Sequence, residues 1–284
     1  MKLLITGSSG FVGSYFINKY SDSCDITRFS FLKDDFKSLH VSDIDVVLHL
    51  SALVHQMGGA SAEAYERINV TQTLALAKKA KEGGVAQFIF MSTVKVYGEE
   101  SDEVYREDSA CHPEDEYGKS KLKAELELQK LQDENFHVSI IRTPIVYGYG
   151  VKANIKNLID LVKKVPILPL GNIPNKRSFI YIGNLCHLID AVIGQKASGI
   201  FLASDDAPIS TSALITQIAK NLDKTIYLIK IPFFENALKL LKPSFHKRLY
   251  GNLVVDNSQT KAKLNLRNPY STQEGIALMM GNKI

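Results

Sequence analysis

Short apolar runs alternate along the chain with longer stretches of helical periodicity. The first run, "KLLIT" at residues 2–6, leads straight into "GSSGFVG" and then into a helical stretch that reaches about Tyr20. Further apolar runs follow at "DITRF", "DVVLHLS", "QFIFMST" and "VSIIRTP", separated by helical stretches such as Ala62 to Glu82 and Tyr117 to Asn135. Strands that alternate with helices in this way predict an α/β fold, a doubly wound parallel sheet with helices on both faces.

Beyond Gly150 the texture changes. Pro166, Pro169, Pro174, Pro208, Pro232 and Pro243 break the chain into shorter elements. Residues 1–150 therefore read as one domain and 151–284 mainly as a smaller C-terminal lobe. The apolar run "FIYIGNLCHLIDAVI" sends residues 178–194 back towards the first domain.

Composition narrows the function without naming it. A chain of 284 residues with 45% hydrophobic positions can bury a full core and a ligand cleft. The net charge of +4 is spread out, with no dense basic tract of the kind nucleic-acid binding needs, and suits an anionic small ligand. Cys24, Cys111 and Cys186 are far apart and form no metal-site spacing, so free thiols in a reducing cytoplasm and no bound metal are expected. No run reaches the roughly 20 apolar residues of a membrane span, and no signal peptide is visible.

The glycine segment is the first candidate site. Gly7, Gly10 and Gly13 follow a strand and open a helix, with Phe11 and Val12 between the last two. Side chains at the first two positions would block the tight turn and the approach of a pyrophosphate to the helix N-terminus, and the third lets helix and strand pack closely. The strand "DITRF" then runs into Ser30 with no acidic residue at its tip, while Arg28 and Lys33 stand close by. Dinucleotide-binding units usually place an acid there for the ribose of NAD, so NADPH is favoured over NADH; a preference for NADH would mean that a carboxylate such as Asp34 reaches back to the ribose.

The second candidate site combines three elements. "QFIFMST" delivers Ser92 and Thr93 to the carboxyl edge of the sheet, where ligands of open α/β folds bind. Tyr117 and Lys121 lie one helical turn apart on the same face. A neighbouring ammonium lowers the pKa of a phenol and makes it a usable acid/base. Tyr15 and Lys19 have the same spacing but no hydroxyl-bearing strand leads to them, and they read as structural.

"TGSSGFVG", "DVVLHLSA", "STVKVYGE", "YGKSKLKAE" and "IRTPIVYGYG", in that order, resemble the extended short-chain dehydrogenase/reductase (NAD-dependent epimerase/dehydratase) family over nearly the whole chain. The resemblance implies a Rossmann domain holding NADP or NAD and a C-terminal lobe holding a UDP-sugar, in a cytoplasmic enzyme, with a homodimer among the assemblies it allows. It makes Tyr117 the general acid/base, gives Lys121 a second role on the nicotinamide ribose, and puts Thr93 rather than Ser92 on the reacting sugar oxygen. Dehydratases of the family carry Asp-Glu after that hydroxyl; Val94 and Lys95 stand here. "VKANIKNL" and "NKRSFIYIGNL" resemble segments that grip the uridine diphosphate, which points to Asn154 and Arg177, with Lys152, Lys156 and Lys176 as a solvated basic rim.

Within the family the chain looks most like bacterial 4-reductases of UDP-2-acetamido-2,6-dideoxy-4-keto-hexoses, which serve O-antigen or capsule synthesis. A UDP-sugar 4-epimerase with tightly held NAD is the alternative. A non-catalytic dinucleotide-binding regulator or scaffold is the alternative of a different class.

Overall fold

The computed structural model describes residues 1–54 and 60–281. Its strands, in chain order, are β1 (Lys2–Thr6), β2 (Asp25–Phe29), β3 (Val46–His49), β4 (Gln87–Thr93), β5 (Val104–Tyr105) and β6 (His137–Thr143). Then come β7 (Ile145–Tyr147), β8 (Ile167–Leu168), β9 (Phe179–Tyr181), β10 (Gly199–Leu202), β11 (Tyr227–Leu228) and β12 (Val254–Val255). Six of them form one parallel sheet in the order β10, β6, β4, β3, β1, β2, and the rest pair as β7 with β9, β8 with β11 and β5 with β12.

The helices of the first half are α1 (Phe11–Tyr20), α2 (Ala62–Tyr65), α3 (Gln72–Glu82) and α4 (Glu116–Gln129). Those of the second half are α5 (Ala153–Lys164), α6 (Ile182–Gly194), α7 (Thr211–Asn221), α8 (Phe234–Leu241), α9 (Pro243–Tyr250), α10 (Ser258–Leu264) and α11 (Thr272–Met279). None of the helices among the described residues is long and apolar enough to cross a membrane. The expected doubly wound parallel sheet is therefore what the chain builds.

Why the strands read as unbroken apolar runs is visible in the core. Leu3, Ile5, Leu48, Ile89 and Ile141 face one way and join Phe16 of α1 and Leu185 and Ile189 of α6. Leu4, Val47, Phe88, Phe90 and Ile140 face the other way and join Leu76 and Ala80 of α3 and Ala124 and Leu128 of α4. Successive side chains of one strand point to opposite faces, so a sheet covered on both sides needs apolar residues at every position. In the second half, β10 adds to the same sheet beside β6, and α6 shares the apolar cluster of β1.

Two helical stretches differ from the pattern in the sequence. The one expected to run to Asn135 stops at Gln129, because Asp133 Oδ1 accepts hydrogen bonds from the backbone N–H of Asn135 and of Phe136, both at 2.9 Å, and folds the chain into a turn. The one expected from Ala62 to Glu82 contains a π-helical turn, Glu66–Thr71. Its Asn69 is fully buried, with Oδ1 accepting from Leu53 N–H at 2.8 Å and Nδ2 donating to Leu53 O and to Ser120 Oγ, both at 3.0 Å.

The contact between α1 and β1 leaves no room for a side chain at Gly13, where a Cβ would stand 2.4 Å from Gly7 O and 2.9 Å from Ser8 Cα. Gly13→Ala is expected to cost about 1–3 kcal/mol of stability, the range for overpacking. Gly194→Ala, at the end of α6 where a Cβ meets nothing within 4 Å, should be neutral or stabilising by up to about 1 kcal/mol. Urea unfolding of both variants checks the contrast.

Candidate active site

The glycine turn closes as its sequence requires. Gly7 has φ +68, and a Cβ there would meet Ser51 N at 2.8 Å and Leu50 C at 2.9 Å. Gly10 N–H donates to Gly7 O at 2.9 Å and Gly10 caps α1 with no side chain, and the first turn of α1 contains no acidic residue. The first turn of α1 thus carries no side-chain cap on its N–H groups, as an anion site requires. This backbone cradle fits the pyrophosphate of a dinucleotide. Phe11 and Val12 are half-buried in the same turn and pack on the core.

At the end of β2 the structure changes the expectation. β2 closes at Phe29, paired with Thr6, and Arg28 is exposed on this edge strand. A carboxylate nevertheless stands at the tip, because Asp34 folds back and its Oδ2 accepts from Ser30 N–H at 2.8 Å.

Thr93 and Ser92 end β4 side by side but have different surroundings. Ser92 Oγ donates to Glu125 of α4, which also receives Arg142 of β6 in a buried, forked pair, with Nη2 at 2.6 Å and Nε at 3.1 Å from Oε2. Arg142 Nη1 in turn donates to Tyr97 Oη at 2.7 Å, and Tyr97 donates to Arg106 O at 2.7 Å. Ser92 is thus locked into a structural network. Among the described residues, Thr93 Oγ1 accepts a 3.3 Å bond from Lys95 N–H and donates none, which leaves its own proton to give.

The first turn of α4 lies against the segment that follows Thr93. Asp115 caps it, Oδ1 accepting from Gly118 N–H at 2.7 Å and Oδ2 pairing with Lys95 Nζ at 2.6 Å; Lys95 also pairs with Glu99. A Cβ on Gly118 would stand 2.8 Å from Lys95 O, so only glycine allows this approach. Tyr117 sits between these two contacts, half-buried, with its ring 6.3 Å from that of Tyr65.

The electrostatics differ from the simple tyrosine and lysine picture. Lys121 is buried, its Nζ donates to Met91 O at 2.7 Å and lies 4.2 Å from the ring centre of Phe90, and burial pulls its pKa down to about 7. Tyr117 is pushed well above the ordinary phenol range, first by burial and then by the charge of Asp115 and the neighbouring Tyr65. The lowering expected from Lys121 is absent here because that ammonium is turned to the strand. His49, held between Thr6 Oγ1 at 2.7 Å and Thr73 Oγ1 at 2.9 Å, is buried and kept neutral, its pKa lowered to about 3 by burial and by Lys121.

On the substrate side the two candidates part. Asn154 is exposed in the first turn of α5, beside Ala153 with φ +53. Arg177 is buried and its Nη1 donates to Lys247 O at 3.3 Å and Gly251 O at 3.0 Å, so it closes the C-terminal end of α9. Lys156 pairs with Asp160 on α5, whereas Lys152 and Lys176 are exposed. No group of three or more potential metal ligands converges among the described residues.

Four residues that organise this site were not singled out in the sequence: Asn69, Asp115, Glu125 and Arg142. Two had a legible signal, since an arginine inside "VSIIRTP" and an asparagine inside a helical apolar stretch both demand buried partners.

Comparison with known proteins places these observations. Residues 3–202 match the model of the NAD dependent epimerase/dehydratase family. The chain is 37% identical to a UDP-glucose 4-epimerase of Vibrio cholerae, over 96% of this chain and 93% of that protein. It is 24% identical to an N-acetyl-alpha-D-glucosaminyl-diphospho-ditrans,octacis-undecaprenol 4-epimerase of Escherichia coli O157:H7, over 81% and 75%. Its fold is similar to that of the UDP-glucuronic acid 4-epimerase from Bacillus cereus solved with NAD, with a TM-score of 0.79, 21% identity, and 99% and 98% of the two chains covered.

Two outcomes follow from the buried charges. Glu125→Leu strands the Arg142 guanidinium and should cost about 3–5 kcal/mol, whereas Glu125→Leu with Arg142→Met should recover most of it; denaturant unfolding of both compares them. Lys121 should also make stability depend on pH. Its pKa is about 7 in the folded chain against 10.5 ordinarily, so the unfolded chain binds more protons between these values. Stability relative to Lys121→Met should therefore rise as pH goes from about 7 towards 10.5, and thermal melts across that window measure it.

Proposed function

The chain belongs to the NAD dependent epimerase/dehydratase family, and from that premise we propose that it is an NAD(P)-dependent oxidoreductase that reduces C4 of a UDP-4-keto-6-deoxy-N-acetylhexosamine. The observation that carries the reading is the packing of the first turns of α4 on the end of β4, with Gly118 against Lys95 O and Lys121 Nζ on Met91 O, which keeps Tyr117 and Lys121 at the strand end that carries Thr93. Burial and Asp115 hold Tyr117 as the phenol, the form in which it can give a proton. Lys95, which with Val94 occupies the place of the dehydratase Asp-Glu pair, is tied to Glu99 and Asp115, which speaks against elimination.

A nicotinamide dinucleotide, when bound, supplies the hydride. In this reading Gly7, Gly10, Phe11, Val12 and Gly13 form its pyrophosphate cradle, and Lys121 holds the nicotinamide ribose. Thr93 donates a hydrogen bond to the C4 oxygen of the sugar, and Tyr117 moves the proton to that oxygen. Asn154 contacts the UDP-sugar, and Arg177 does so through Nε and Nη2, since Nη1 is engaged by the end of α9. Residues 1–150 thus serve the dinucleotide and the later part mainly the sugar nucleotide. Arg28 on β2 suits the 2′-phosphate of NADP, while Asp34 at the strand end suits the ribose of NAD.

A second reading is a UDP-sugar 4-epimerase. The Vibrio cholerae relative bears the name of that activity, and Asp34 at the tip of β2 suits a tightly held NAD.

Turnover assays separate these readings. With a UDP-4-keto-6-deoxy-N-acetyl sugar, the reductase should consume NADPH or NADH and sugar in equal amounts, and Tyr117→Phe should abolish turnover while dinucleotide affinity stays within a few-fold. Interconversion of UDP-GlcNAc and UDP-GalNAc without added cofactor would instead establish the epimerase. Turnover of neither substrate would leave the idle dinucleotide-binding alternative.

A further inference from the structure

The second half of the chain exposes an apolar surface that the site above does not use. On the β8 and β11 ribbon, Ile167 is paired with Tyr227 and both are exposed, as are Ile229 and Ile231. The chain then reaches Phe233, 82% exposed and held at φ +61, a left-handed conformation unusual for a bulky residue. Neither α8 nor α9 contains a buried residue; Leu240 and Leu241 are 83% and 77% exposed, and Phe245 is half exposed. Soluble monomers rarely expose so many large apolar side chains in one stretch.

Charge selects the occupant. Residues 161–170 and 224–250 contain eight lysines and arginines and a single acid, Glu235, which lies 3.3 Å from His246. Lys163 and Lys164 are exposed beside Ile167, and Lys230, Lys239 and Lys242 are exposed among the apolar residues of the ribbon and α8. A short helix rich in Leu and Phe, with Lys239 in its last turn and Lys242 at its end, matches a bilayer interface, where the apolar side chains enter the headgroup boundary and the lysines meet anionic lipid. A protein partner would not need the exposed Lys163, Lys164, Lys230, Lys239 and Lys242 set around the apolar residues.

We propose that the β8 and β11 ribbon with α8 and α9 is a peripheral docking surface for an anionic lipid bilayer. The Arg177 bonds to Lys247 O and Gly251 O, and the pairing of Lys247 with Glu114 at 3.0 Å, join α9 to the segment between Thr93 and Tyr117. Docking there would hold the candidate active site next to the membrane, with no part of the chain spanning it.

Sedimentation with vesicles of phosphatidylglycerol and phosphatidylcholine, against vesicles of phosphatidylcholine alone, tests this on the full chain. The protein should sediment with the anionic vesicles and lose most of that binding at high salt. Lys239→Gln and Lys242→Gln should each weaken it about five-fold, the equivalent of roughly 1 kcal/mol per charge at the surface. Leu240→Glu with Leu241→Glu should abolish it while the circular dichroism melt stays unchanged. The chain has no tryptophan, so Phe245→Trp gives a single reporter whose emission should shift to the blue on adding anionic vesicles. Failure to bind these vesicles, or binding unaffected by the two glutamates, would overturn the proposal. So would a concentration-dependent oligomer that the same two glutamates dissolve, which would make this face an interface between copies of the chain.

Discussion

The site depends on one buried ion pair. Glu125 and Arg142 meet between α4 and β6 and take Ser92 of β4 and Tyr97 with them. In water such a pair would contribute little, and in the interior its two charges cost several kcal/mol to desolvate before their attraction returns it. What it supplies is a fixed relation among two strands and a helix. Thr93 leaves β4 immediately after the pinned Ser92, and Tyr117 and Lys121 sit about two turns and one turn before Glu125 on α4. Any slip of the helix along the sheet would break the forked geometry, so the hydroxyl, the phenol and the ammonium keep their register.

Around that fixed relation the electrostatics are uneven by construction. Asp115 caps α4 and raises the Tyr117 pKa, yet it is itself paired with Lys95. Lys121 is turned to a backbone carbonyl and an aromatic ring, not to the phenol. The resting site therefore holds its proton on Tyr117 and keeps Lys121 close to losing its own. The balance is set mostly by burial, which acts on acid and base in opposite directions.

Much of this was legible in the sequence. The strands "KLLIT", "DITRF" and "QFIFMST" are β1, β2 and β4 to the residue; β1 and β4 lie inside the sheet and write themselves as apolar runs, whereas β2, at the edge and largely exposed, keeps only Ile26 and Phe29 apolar. The glycine turn was equally legible, since backbone contacts at Gly7 and Gly13 exclude any other residue. Illegible were the interactions that join distant segments: Asn69 bridging Leu53 and Ser120, and Arg177 closing a helix seventy residues downstream. Polar side chains find such partners through the folded chain, and local pattern holds no record of them.

The π-helical turn at Glu66–Thr71 has a consequence for how this chain compares with others. A π turn is an α-helix with one residue too many, and each residue advances a helix by about 100°. The extra residue turns Asn69 inward to Leu53 and Ser120 and still leaves Thr73, Leu76, Ala77 and Ala80 of α3 facing the sheet. Deleting a residue between 66 and 71 would restore regular helix and rotate either the asparagine or the apolar stripe out of place. A one-residue gap between this chain and a relative is therefore best accommodated at this turn, where the length mismatch already has a structural home.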